Sequence, residues 1–222
     1  MRRRVPEGLA SLAIGSSLDA LGHSMGGFAL IAYALARPSR VARLVLVGTG
    51  AGGYMQAKGA LWNRGHPRFS AVASLGLVQM AVPTRAPEQL LRNLIERQSF
   101  VDRTLARPSR VRLADWYRPR TGRPDWHRIA VRLDYRHRLS EITAPALILC
   151  GRNDPQFALP CSQALATGIP ASRLRIFERS GHYPFLEEPA AFWEAVRGFL
   201  ASTHDSDDPG PRNGAGRHPC EA

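Results

Sequence analysis

Cysteine is scarce in this chain, lysine almost absent, and no apolar run approaches the ~20 residues that a membrane-spanning helix requires. The three cysteines, Cys150, Cys161 and Cys220, lack metal-ligand spacing, and an odd number does not close into a disulfide framework. Cys150 reads as a small hydrophobe ending a buried strand. A cytoplasmic protein with no membrane partner is therefore expected. The opening Met1-Arg2-Arg3-Arg4 is followed by a mildly apolar stretch, but Glu7 and Asp19 interrupt it, so it does not read as a secretion signal. The basic middle segment, 54–139, also lacks a glycine-rich phosphate loop and a nucleic-acid-binding motif, so no nucleic-acid partner is expected.

The charge is lopsided. Of a net +12, residues 54–139 alone carry +11, and Lys58 is the single lysine among thirty basic side chains. Arginine used so uniformly reads as a coding bias rather than as an anion site.

What is present is an ordinary globular chain of 222 residues, 44% apolar, enough for one substantial core. Its focus is Gly22-His23-Ser24-Met25-Gly26-Gly27. In the pattern G-x-S-x-G a serine sits on a strained turn between a parallel strand and a helix, its hydroxyl held above the sheet. The tight turn predicts no room for a Cβ at Gly22 or at Gly26. Leu18–Leu21 supplies a short strand before the serine, and the alanine- and leucine-rich stretch 26–36 supplies a helix, stopped by Arg37-Pro38. The elbow turns the His23 side chain away from Ser24, so packing is its expected role.

Farther along, Val41–Val47 is apolar without polar alternation, as in a parallel strand covered on both faces. Ala146–Cys150 reads likewise, and Arg173–Phe177 alternates like a more exposed strand near a sheet edge. Between them, residues 54–139 read as a separate helical lobe, with amphipathic helices over 69–82 (Val72, Leu75, Val78, Met80) and 87–100 (Leu90, Leu91, Leu94, Ile95). Helices are also expected ending near Ile14, over 162–167, and from Pro189 onward with Phe192, Trp193, Val196, Phe199 and Leu200 inward. The tail 201–222 has almost nothing to bury and reads as disordered. The fold class is thus α/β: a mostly parallel sheet flanked by helices, built from 1–53 and 140–200, with a helical cap between.

A serine hydroxyl is a poor nucleophile until a base takes its proton, and the base needs an acid to fix its tautomer. Ser24, Asp154 and His182 each follow a predicted parallel strand, so all three fall at one edge of the sheet. Asp154 also sits before Pro155, where an aspartate can simply cap a turn.

The motifs GHSMGG at 22–27, RVARLVLVGTG at 40–50, PALILCGRNDP at 145–155 and SGHYPFLEEP at 180–189 together resemble the α/β-hydrolase superfamily. That resemblance implies Ser24 as nucleophile, Asp154 as orienting acid, His182 as general base and the Met25 amide as one oxyanion donor, with no metal or cofactor. It implies hydrolysis of a small-molecule ester or amide through an acyl-enzyme. Serine at the elbow separates the chain from relatives that use aspartate there, such as epoxide hydrolases. The closing motifs also resemble proline-iminopeptidase-like members; an aminopeptidase would need a cap carboxylate for the substrate amine, with Glu88 and Glu96 as candidates. One departure stands out. Only about twenty residues precede Ser24, without the strands and His-Gly loop that usually supply the second oxyanion amide. The chain reads as truncated at its N-terminus, with a non-catalytic remnant as the third alternative.

Overall fold

The computed structural model describes residues 17–52, 74, 78, 85–106 and 134–202. Four parallel strands form one sheet in the order β1-β2-β3-β4: Leu18–His23, Val41–Val47, Ala146–Gly151 and Ser172–Phe177. Helix α1 (Met25–Ala36) joins β1 to β2, α2 (Arg85–Gln98) falls between β2 and β3 in the sequence, α3 (Leu159–Gly168) joins β3 to β4, and α4 (Pro184–Glu187) and α5 (Pro189–Ala201) close the described chain.

Alternation along the two central strands divides the core. Leu44, Leu46, Ala146 and Ile148 face Ile31 of α1 and Leu165 of α3. Val45, Val47, Leu147 and Leu149 face Phe192 and Val196 of α5 on the other side. Successive side chains of a strand point to opposite faces, so an unbroken apolar run such as Val41–Val47 is what a doubly covered strand requires. The pairing of Leu44 with Ala146 and Leu46 with Ile148 keeps like faces together. Burying each of the larger of these side chains, the leucines, isoleucines and valines, contributes about 1.5–3 kcal/mol.

The strand edges follow the sequence pattern. β4 is amphipathic and lies at one end of the order, as its alternation predicts. β1 pairs with β2 and has no other strand partner among the described residues; Leu21 on it is 47% exposed. The Asp19 carboxylate on this strand makes a two-pronged ion pair with Arg43 of β2.

Several expectations need correction. Trp193 is 44% exposed, because on α5 only Phe192 and Val196 are fully buried against the sheet. Leu90 of α2 is 58% exposed, whereas Leu94 and Ile95 are partly buried. Val78 is likewise exposed. Leu139, placed by sequence at the end of the lobe, packs in the sheet core beside Ile142, and Tyr135 N donates to Ala51 O. The helix expected near Ile14, most of the one over 69–82, and the tail beyond 202 lie outside the described residues.

Candidate active site

The turn after β1 fixes the first component. Ser24 has φ 54° and ψ −122°, the one non-glycine residue with positive φ among those described. Such a conformation costs about 1–3 kcal/mol and persists only where its surroundings over-determine it. Here Ser24 N donates to Val47 O at 2.9 Å, while Ser24 O accepts from Gly27 N at 3.0 Å and from Thr49 Oγ1 at 2.8 Å. Neighbouring strand, helix and loop thus each hold one side of the turn.

The glycines do not divide as the motif predicts. A Cβ at Gly22 would lie 2.7 Å from Gly26 O, as expected, but one at Gly26 would meet nothing within 4 Å. The crowded helix position is Gly27, where a Cβ would press on the Thr49 side chain at 2.5 Å. Strand β2 runs on into buried Thr49, and this close approach brings its hydroxyl to the Ser24 carbonyl.

The ends of β3 and β4 supply the second and third components. His182 Nδ1 donates to Asp154 Oδ2 at 2.8 Å, and both side chains are almost wholly buried. Asp154 Oδ1 accepts from the main-chain N–H groups of Gln156 (2.8 Å) and Phe157 (3.0 Å). Asp154 therefore caps its own turn and binds the imidazole at once. With Nδ1–H committed, His182 Nε2 carries the free lone pair. Gly48, at φ +49°, lets the chain pass under this pair: a Cβ there would sit 3.1 Å from His182 Nδ1 and 3.2 Å from Asp154 Oδ2.

His23 packs against the same imidazole, with ring centroids 4.5 Å apart, and is flanked by Tyr183 and Phe185. Its Nε2–H donates to the main-chain oxygen of His182 at 2.9 Å. Burial among these rings, with repulsion from the His182 imidazole second, pushes the His23 pKa down to about 3, so the ring is neutral. Its side chain turns toward the His182 loop, and packing is its role, as expected.

The Ser24 hydroxyl makes no hydrogen bond to His182 in this structure. Bonds of this kind often tighten only when substrate is bound. Met25 opens α1, and its N–H belongs to the first helical turn, which has no acceptor within the helix. Cys150 is buried at the end of β3, and burial raises its thiol pKa. Of the two carboxylates considered for an amine site, Glu96 is partly buried on α2, and the side chain of Glu88 lies outside the described residues.

Strand, strained serine, helix and buried acid–imidazole pair occur in one order on one parallel sheet. The family model described as the alpha/beta hydrolase family matches residues 4–195. The chain belongs to that family. Among curated relatives, a 2-hydroxy-6-oxononadienedioate/2-hydroxy-6-oxononatrienedioate hydrolase from Cupriavidus pinatubonensis is 35% identical over 187 residues, covering 82% of this chain and 61% of the relative. A similarly named hydrolase from Dechloromonas aromatica is 34% identical, covering 85% and 64%. An alpha/beta fold family hydrolase from Bacillus anthracis shares the fold at a TM-score of 0.66 with 23% identity, covering 82% of this chain and 67% of that structure. The chain spans about three fifths of the length of the first two relatives.

Sequence reasoning found the residues that end strands and missed those that brace them. Thr49 carries a signal only in hindsight, as the polar residue of the Gly48-Thr49-Gly50 triplet that closes an apolar strand.

Proposed function

We propose that this protein hydrolyses a bond to a carbonyl carbon, with Ser24 as nucleophile, His182 as general base, Asp154 as the acid that orients it, and the Met25 N–H as an oxyanion donor. The observation that carries the reading is the buried Asp154–His182 pair at 2.8 Å beside a serine in a strained turn. His182 Nε2 takes the hydroxyl proton as Ser24 Oγ attacks the carbonyl, and the imidazolium is stabilised by Asp154. The proton then passes to the leaving group, and water, activated by the same imidazole, releases the acyl group from Ser24.

The leaving group sets the substrate class. An ester or amide is the simplest fit to this chemistry. The curated relatives, however, are named for a 2-hydroxy-6-oxo dienedioate, a ketone bearing two carboxylates and neither an ester nor an amide. In such a compound the dienol first tautomerises, its hydroxyl proton moving to the carbon next to the oxo group and leaving a second ketone at the former hydroxyl carbon. Hydrolysis at the oxo carbon then breaks the carbon–carbon bond, and the departing carbanion is delocalised as a dienolate into that second ketone before it is protonated. A hydroxy-oxo dienedioate is the lead substrate on this ground, and an activated ester is the simplest reporter of the same serine.

The test is fluorophosphonate labelling of the full chain alongside Ser24→Ala, followed by turnover of the dienedioate and of p-nitrophenyl esters. Labelling that depends on Ser24 is expected. Folded protein labelled equally with and without Ser24 would overturn the reading and leave a non-catalytic family member. Ester turnover without dienedioate turnover would overturn only the substrate class.

A further inference from the structure

The loop that carries His182 is tied down by a segment remote in sequence, the stretch that follows α2. His182 N donates to Ser99 O at 2.7 Å, and a Cβ at Gly181 would collide with that same oxygen. Glu187 then bridges the two segments with both of its oxygens. Oε1 accepts from Val101 N at 2.7 Å and Asp102 N at 3.2 Å, and Oε2 accepts from Gly181 N at 2.7 Å. The Phe100 ring stacks on Tyr183 at 4.6 Å between centroids. On the acid side, Gln156 Nε2 donates to Ser99 Oγ at 2.8 Å, while Gln156 N caps Asp154. The residues before and after His182, and the loop of its carboxylate partner, all meet the 99–102 segment.

The chemistry of Glu187 suits a clasp better than a surface charge. It is half-buried, and burial raises its pKa, with the three main-chain donors and the neighbouring Asp102 as the other influences. A carboxylate serves the two segments with separate oxygens, Oε1 on Val101 and Asp102 and Oε2 on Gly181. Glutamine offers one oxygen and sets an N–H against the donors of the other segment.

We propose that Glu187 is a positioning residue of the site: it seats the His182 loop on the 99–102 segment, so that the imidazole keeps its working place only while that segment is docked. This rests on reading His182 as the base for Ser24. It makes the junction after α2 part of the acid–base apparatus, although none of its residues reaches the reacting atoms.

The test follows the rate of fluorophosphonate labelling against pH for the full chain, Glu187→Gln and Ser24→Ala, with exposed Glu141→Gln as a comparison. Glu187→Gln is expected to label at least tenfold more slowly, with a displaced midpoint in its pH profile, and Glu141→Gln to match the unmodified protein. An unchanged rate and midpoint in Glu187→Gln would overturn the proposal. Should Glu187→Gln fold poorly, Glu187→Asp keeps the charge but cannot span both segments; it is expected to shift both quantities in the same direction, and failure to do so overturns the proposal as well. If the unmodified protein shows no Ser24-dependent labelling, the functional reading fails separately. The low-field proton resonance of His182 Nδ1–H then decides: displacement or loss in Glu187→Gln supports the seating, and an unchanged signal overturns it.

Discussion

His23 Nε2 donates to the main-chain oxygen of His182 at 2.9 Å, so the residue before the elbow serine is bonded to the residue proposed as its base. The imidazole that makes this bond is held neutral by its surroundings, with a pKa of about 3. In the unfolded chain the same group titrates near 6.5, so between these values the unfolded state binds more protons and stability falls as pH falls. The loss across the window amounts to about 3–5 kcal/mol. Denaturant midpoints measured from pH 7 down to 4 should decline in the unmodified protein, and this part of the decline should vanish in His23→Phe, which starts from a lower stability at pH 7.

Gly22 and Gly26 should respond in opposite ways to the same substitution. Gly22→Ala forces a Cβ onto the Gly26 carbonyl and Leu30, an overpacking expected to cost about 1–3 kcal/mol. Gly26→Ala meets open space within α1 and should be neutral or stabilise the fold by up to about 1 kcal/mol. Thermal melts of the two variants compare them directly; equal losses would contradict the geometry.

Thr49→Val removes one hydrogen bond to the Ser24 carbonyl from a buried site while keeping the shape of the side chain. The loss in stability should be modest, about 0.5–1.5 kcal/mol. Its effect on Ser24 should exceed its effect on stability, because the strained turn loses one of its braces. Slower fluorophosphonate labelling with a melt lowered by only a few degrees is the expected pairing.

Asp154→Asn tests the tautomer. Two main-chain donors hold the Oδ1 position, which turns the new amide NH2 toward His182 Nδ1. The imidazole must then accept at Nδ1 and carry its proton on Nε2, where it cannot take one from Ser24. Ser24-dependent turnover should drop by about 10⁴, with little change in substrate KM. A loss below tenfold would mean that Asp154 serves only its own turn.

The parts of this molecule legible in the sequence are those written in local pattern. Val41–Val47 and Ala146–Gly151 announce themselves because a doubly buried strand must be apolar at every position. Ser24, Asp154 and His182 can be picked out as candidates because each follows such a strand, and parallel strands bring their C-terminal ends to one edge. Trp193 and Leu90 were misjudged for the converse reason: helical spacing gives the apolar stripe of a helix but not how much of it the neighbours cover. The braces Ser99 and Glu187 leave no local trace, and Thr49 leaves only its place in the Gly48-Thr49-Gly50 triplet. Their partners are main-chain atoms, and a main-chain atom has no sequence signature; Val101 and Glu187 meet across 86 positions of chain.

The alternation along β2 and β3 has an energetic consequence of its own. Helices α1 and α3 pack on one face of these strands and α5 on the other, so the two side-chain clusters are separated by the sheet backbone. Substitutions more than ~7–10 Å apart with no shared partner add in free energy. Ile31→Val on one face and Val196→Ala on the other should therefore destabilise independently, with a coupling near zero in a double-mutant cycle. Each half of the interior can drift in composition without waiting for compensating change in the other, while the strand residues that set the elbow stay under constraint from both.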